Sequence, residues 1–181
     1  MKQRRDLRLF HTNYQKALRF LASHPGREYM ASEVRDATGV SKAGANNALR
    51  TLAADRLVQV QKKGRLSLFY VQPDNPLIRQ VKVLINLLEI EDLAEALTEP
   101  SHKIIMFGSA AAGKDAEDSD IDLFVVSDAP ESVRKLVDRH SGKRQIHLVL
   151  RKPLDYVASM KKDKVFFDEV SRGIVLYERM A

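Results

Sequence analysis

The order of apolar and polar residues along the chain switches between two periods, and each switch predicts an element. Phe10, Tyr14, Ala17, Leu18 and Leu21 recur at helical spacing from about residue 7 to 22 and stop before Ser23-His24-Pro25-Gly26, which predicts a first helix. Ala31, Val34 and Ala37 predict a shorter second helix over residues 29–38, closed by Gly39, which can take the positive φ of a tight turn. Ser41 suits the N-cap of a third helix whose apolar positions are Ala45, Leu49 and Leu52. Past Leu57 the period falls to two: residues 58–61 alternate, Lys62-Lys63-Gly64-Arg65 makes a basic turn, and residues 66–71 alternate back as a hairpin. Asp74-Asn75-Pro76 opens a long helix that runs to about Thr98 before Glu99-Pro100 stops it.

The rest of the chain alternates short strands with helices. Residues 104–107 are apolar, uncharged and stopped by Gly108, which reads as a buried strand, and a second strand follows Ser119 and ends at Val126. Val133, Leu136 and Val137 share a face of a helix from Pro130 to His140. In the next strand Ile146, Leu148 and Leu150 lie on one face, leaving His147 on the other with Gln145 and Val149. Helices are expected over Pro153 to Met160 and Val165 to Ser171.

Composition and charge turn this string of elements into two objects. A chain of 181 residues has room for two small domains, and 44% hydrophobic content is that of a core-forming protein. There is no cysteine, hence no disulfide or thiolate metal site, and no apolar run approaches a membrane span. No signal-peptide core follows Arg4 and Arg5, so a cytoplasmic protein without a membrane partner is expected. Residues 1–73 carry 14 Lys+Arg against 5 Asp+Glu, whereas residues 74–181 carry 16 against 19, so the net charge of +6 conceals +9 on the first part and −3 on the second. Such asymmetry points the first part at an anionic polymer.

The candidate chemistry is concentrated at residues 104–126. Gly108 ends a strand, Ser109 precedes a run of alanines and suits a helix N-cap, and the amides at 109–111 would then face solvent as a phosphate site. Asp120 and Asp122 are expected on one face of the following strand, roughly 6 to 7 Å apart along it. A carboxylate pair facing a glycine-serine turn suits a hard cation, Mg2+ or Mn2+, that bridges to the phosphates of a nucleoside triphosphate.

These residues resemble the minimal nucleotidyltransferases of the DNA polymerase β superfamily, whose signature is a strand, Gly-Ser, a small-residue helix start and then Ser-Asp-x-Asp-Leu. The match runs over roughly the last 80 residues through Gly108, Ser109, Ala111, Gly113, Ser119, Asp120, Asp122 and Leu123, and residues 173–177 resemble the family's closing strand. The resemblance implies an α/β (α+β) domain with a small mixed β-sheet and flanking helices. It further implies metal at Asp120 and Asp122, triphosphate at Gly108, Ser109 and Ser119, and transfer of a nucleoside monophosphate to a hydroxyl of a protein, RNA or small molecule. Two departures mark this chain. Active members place a third aspartate where His147 stands, and family arginines beside the Gly-Ser turn are replaced by Ala110 and Ala112, with Lys114 the nearest cation. Magnesium disfavours nitrogen ligands, but a neutral imidazole can serve as a base. Relatives of the family act as antitoxins, so a toxin or other protein partner, with the fold kept as a nucleotide sensor or protein-contact module, is the alternative.

Three helices followed by a hairpin with a cationic tip resemble the winged helix-turn-helix of prokaryotic transcription regulators. The third helix presents Lys42, Ala43, Gly44, Asn46, Asn47 and Arg50, short and polar residues suited to base edges and phosphates, and Lys62, Lys63 and Arg65 lie at the hairpin tip. The expected organisation is a winged helix-turn-helix over residues 1–73 that binds double-stranded DNA, a linker helix over 74–99, and the nucleotidyltransferase-like domain over 100–181. Leu77, Val81, Leu84 and Leu88 on the linker fit either a homodimer seam or an amphipathic face packed within the chain.

Overall fold

The structure is a computed structural model that describes residues 9–179, apart from the side chains at 157, 158, 160 and 161. The chain divides into two compact units at Ile85/Asn86.

In the first unit, α1 (Asn13–Ser23) starts where a reciprocal cap forms: the Gln15 N–H donates to Thr12 Oγ1 and the Thr12 N–H to Gln15 Oε1. That cap begins the helix later than the apolar spacing suggested and leaves Phe10 ahead of it, buried; residues 7 and 8 of the expected helix, like Arg4 and Arg5, lie outside the described residues. Tyr29–Met30 is a short strand, β1, rather than helix. Its residues pair with Phe69 and Leu68, and the Met30 N–H donates to Glu33 Oε2, so α2 (Ala31–Thr38) opens after it. Gly39 at φ +68° closes α2, and the Ser41 hydroxyl accepts from the Gly44 N–H at the head of α3 (Lys42–Ala54).

The strands β2 (Gln59–Lys63) and β3 (Leu66–Tyr70) complete a three-stranded antiparallel sheet in the order β1-β3-β2. Alternation in β2 does not bury its apolar side: Val58 is buried, but Val60 and Leu66 are exposed because this part of the hairpin extends past the core. The core itself joins Ala17, Leu21, Val34, Leu49, Leu52 and Phe69 with Ile78 from α4 (Pro76–Glu89). Asn75 Oδ1 accepts from the Leu77 N–H to start α4.

The expected single helix to Thr98 is two, because Ile90 (φ −101°, ψ 5°) interrupts it before α5 (Glu91–Leu97). No glycine or proline marks the break; it lets Ile90, Leu93 and Leu97 enter one core. On α4, Leu77 and Leu84 are exposed whereas Val81 packs against the first core, so the four residues of the expected seam do not share one environment.

The second unit is built on a mixed sheet in the order β6-β5-β4-β7, from β4 (Lys103–Phe107), β5 (Ile121–Val126), β6 (Ile146–Arg151) and β7 (Ile174–Glu178). Only the β5/β6 pair is parallel, with α7 (Pro130–Asp138) as its crossover. Strand alternation gives the sheet two apolar faces. Ile104, Met106, Leu123, Val125 and Leu148 share a core with α5 and Val133 of α7. On the other face Ile105, Phe107, Phe124 and Val126 pack against Phe167 and Val170 of α9 (Lys164–Ser171), which follows α8 (Pro153–Lys162). Each fully buried leucine or phenylalanine here contributes about 1.5–3 kcal/mol, so burial on both faces fixes the strand register. Among the described residues no helix is long and apolar enough to cross a membrane.

Candidate active site

The end of the sheet where β4 finishes and β5 and β6 begin brings together the residues singled out in the sequence. Phe107 pairs across with Asp122, and Asp122 lies beside His147 in the parallel register. Alternation puts Asp122 and His147 on the same face as Phe107 and Phe124, at the margin of that core. Asp120 precedes β5 and is exposed; Asp122 is the second residue of the strand and only partly exposed.

Gly108 explains why a glycine ends β4. Its φ is +70°, and a Cβ there would collide with Oδ2 of Asp122. Both the backbone conformation and the closeness of the carboxylate exclude a side chain. The other oxygen of Asp122, Oδ1, lies 2.7 Å from Nδ1 of His147, whose ring is largely exposed. In a neutral imidazole whose Nδ1–H donates to an Asp122 carboxylate oxygen, Nε2 is left as an acceptor.

The short helix α6 (Gly108–Ala112) begins at Gly108, so Ser109 lies inside it and does not cap it, contrary to the expectation from the alanine run. The sharp turn at Gly108 carries the chain from strand to helix without a capping residue between them. Gly113, at φ +63°, closes the helix. Lys114 is exposed beyond it. Ser119 serves the loop before β5, its hydroxyl accepting from the Ala116 N–H at 2.9 Å.

Behind α6 lies a buried polar network that the sequence reading missed. Asn86 Nδ2 donates to the Ala110 carbonyl at 2.9 Å and to Asp115 Oδ1 at 3.1 Å. Arg144 binds Asp115 at 2.7 Å, Asn86 Oδ1 at 2.8 Å and Glu89 at 3.1 Å. The Asp115 and Arg144 side chains are only 3% and 8% exposed. Arg144 closes a network that holds the Gly-Ser helix from behind. An asparagine among Val83, Leu87 and Ile90 was the one sequence signal for it. The partners are 29 and 58 residues from Asn86, so nothing local joins them.

The family model for polymerase beta nucleotidyltransferases matches residues 89–181. The chain belongs to that family. No curated protein matches it. Polymerase beta-type nucleotidyltransferases generally act on a nucleoside triphosphate with a divalent metal. Asp120 and Asp122 offer oxygen donors of the kind such a cation takes, and one or two carboxylates beside substrate phosphates suffice for magnesium. Among the described residues no group of three or more His, Asp or Glu side chains is arranged to hold a metal.

The residues expected at DNA belong to the first unit. Lys42, Asn46, Asn47 and Arg50 are exposed along one side of α3, and Lys62, Lys63 and Arg65 are exposed at the hairpin tip, where Lys63 pairs with Glu28 at 2.7 Å. Gly44 does not belong to that face. A Cβ on it would strike the Asn13 side chain, so its smallness serves the packing of α1 on α3.

Proposed function

We propose that residues 100–181 form a metal-dependent nucleotidyltransferase domain that transfers a nucleoside monophosphate to a hydroxyl. In this reading residues 1–73 are a winged helix-turn-helix that holds the chain on duplex DNA as a cytoplasmic transcription regulator, with 74–99 as the linker. The observation that carries the transferase reading is the Asp122 carboxylate, set between Gly108 on one oxygen and His147 on the other.

Asp120 and Asp122 would hold Mg2+ or Mn2+, which supplies neutralisation of the triphosphate charge. Gly108 lets the backbone turn approach Asp122 and so the metal-bound phosphates, with the Ser109 hydroxyl, Ser119 and the Lys114 ammonium as further donors. The acceptor hydroxyl oxygen forms a bond to the α-phosphorus while the bond from that phosphorus to the α,β-bridging oxygen breaks, and pyrophosphate leaves with the electron pair. The hydroxyl proton passes to Nε2 of His147, whose ring is oriented by the Nδ1–H bond to Asp122.

A second reading has a specific observation behind it. His147 occupies an oxygen of Asp122 and stands in place of a third carboxylate, which favours a nucleotide sensor or antitoxin-like contact module without turnover. The DNA part of the proposal is supported by the exposed polar face of α3 and the basic hairpin tip.

Labelled triphosphate, magnesium and cell extract separate the two readings. The transferase reading expects label on an acceptor with wild-type protein, and none with D120N/D122N or H147A. Metal-dependent triphosphate binding without transfer by wild type, H147A or H147D establishes the sensor instead. Binding that survives D120N/D122N, or that is tight in chelator, refutes the metal role of the pair.

A further inference from the structure

The opposite end of the same sheet carries a second concavity. It is lined by Pro130 and Arg134 of α7, Leu150 and Arg151 at the end of β6, and Lys152 and Asp155 where α8 begins, with a volume of about 410 Å3. Val126 pairs with Arg151 at this end, whereas Asp122 pairs with His147 at the other, so about four residues of strand, roughly 13 Å, separate the two places.

Three cations and one carboxylate surround the cleft. Arg151 donates one N–H to the Leu150 carbonyl at 3.0 Å. Arg134, Lys152 and Asp155 make no side-chain hydrogen bond or ion pair among the described residues. Three cations against one carboxylate leave the cleft with an excess of positive charge, and an anion relieves the repulsion among them. The volume falls within the range of small-molecule sites, about 300–1,000 Å3. Its position also fits: in open α/β sheets ligands settle outside the carboxyl ends of parallel strands, and β5 and β6 are this sheet's parallel pair.

We propose that this cleft is a second ligand site, for a small phosphorylated molecule of mononucleotide size. The Arg134 and Arg151 guanidinium groups take the phosphate, Leu150 and Pro130 give a ring an apolar floor, and Asp155 accepts from a sugar hydroxyl. No metal is needed here, because the protein itself supplies the positive charge. That separates the site from the Asp120–Asp122 end, where the carboxylates repel phosphates unless a cation intervenes.

The test is calorimetric titration of the full chain with AMP in EDTA. Saturable binding is expected, unchanged in D120N/D122N and weakened by about 10-fold or more in R134Q/R151Q, since charge-assisted forks are lost. R134K/R151K keeps the charge and loses the fork, so it should also bind AMP more weakly than wild type, which guards against a folding defect in the glutamine variant. Four results overturn the proposal: no saturable binding by about 1 mM, unaltered affinity in both arginine variants, loss of AMP binding in D120N/D122N, or binding of pyrophosphate or a short oligonucleotide while AMP is refused.

Discussion

Replacing Arg144 by methionine tests the network that holds the Gly-Ser helix. The side chain keeps a similar length, but the guanidinium that binds Asp115 at 2.7 Å and Glu89 at 3.1 Å disappears. Two carboxylates then remain beside each other without that cation, one of them on a side chain only 3% exposed. Breaking a buried pair by removing one partner costs about 3–5 kcal/mol. For a unit of this size about 1 kcal/mol corresponds to roughly 4–8 °C, so melting of the second unit should fall by at least about 12 °C. D115N should cost less, because Arg144 retains Glu89 and Asn86. Hydrogen exchange of the β4 and β5 amides reports on this unit separately from the first. Protection should drop most in R144M, less in D115N, and the Ala110 region should loosen in N86A, which loses the bond to that carbonyl. An R144M protein within about 1 kcal/mol of wild type would refute the reasoning, since a buried pair with this geometry cannot be broken so cheaply.

Further outcomes follow from the same structure. G108A forces a side chain into φ +70° and against Asp122, so it should destabilise the unit by about 1–3 kcal/mol and abolish metal-dependent triphosphate binding; intact binding in calorimetry would remove Asp122 from the site. R50A should weaken binding to genomic duplex fragments by about 1–3 kcal/mol, with wild-type affinity falling steeply as salt rises; salt-independent or undetectable binding in a fluorescence titration refutes the DNA reading. Tyr14 is pushed above its ordinary 10.0 by burial first, then by its hydrogen bond to Asp55 and that residue's charge. Because the folded value is the higher one, its contribution to stability is present below pH 10.0 and is lost as pH rises through the folded value. Urea midpoints should therefore decline more steeply in alkali for wild type than for Y14F; parallel declines would sever Tyr14 from the effect.

Local chemistry made much of this protein readable. Gly39 closes α2 and Ser41 caps α3 as expected, because a positive φ and a side-chain cap are properties of one or two residues. The strand alternation at Ile146, Leu148 and Leu150 placed His147 beside Val149 on the other face, since period two permits nothing else. Gly108, Asp122 and the motif around them marked the end of the sheet where β4 finishes and β5 begins for the same reason. Their spacing carries the chemistry.

What the sequence alone did not determine depends on residues far apart in the chain. Ser109 looks like a cap in any list of propensities, yet the helix begins at Gly108, where the turn is set by the approach of Asp122 from a neighbouring strand. The break at Ile90 has no local breaker; burial of Ile90, Leu93 and Leu97 in one core decides it. Gly44 looked like part of a binding face until α1 was packed against it. Nothing beside Arg144 in the chain marks it, and only folding brings Asn86, Glu89 and Asp115 around it, because a long-range ion pair leaves no periodicity to read. Short-range backbone and capping energies are written into neighbouring residues, whereas desolvation and cross-strand contact exist only once the chain has closed upon itself.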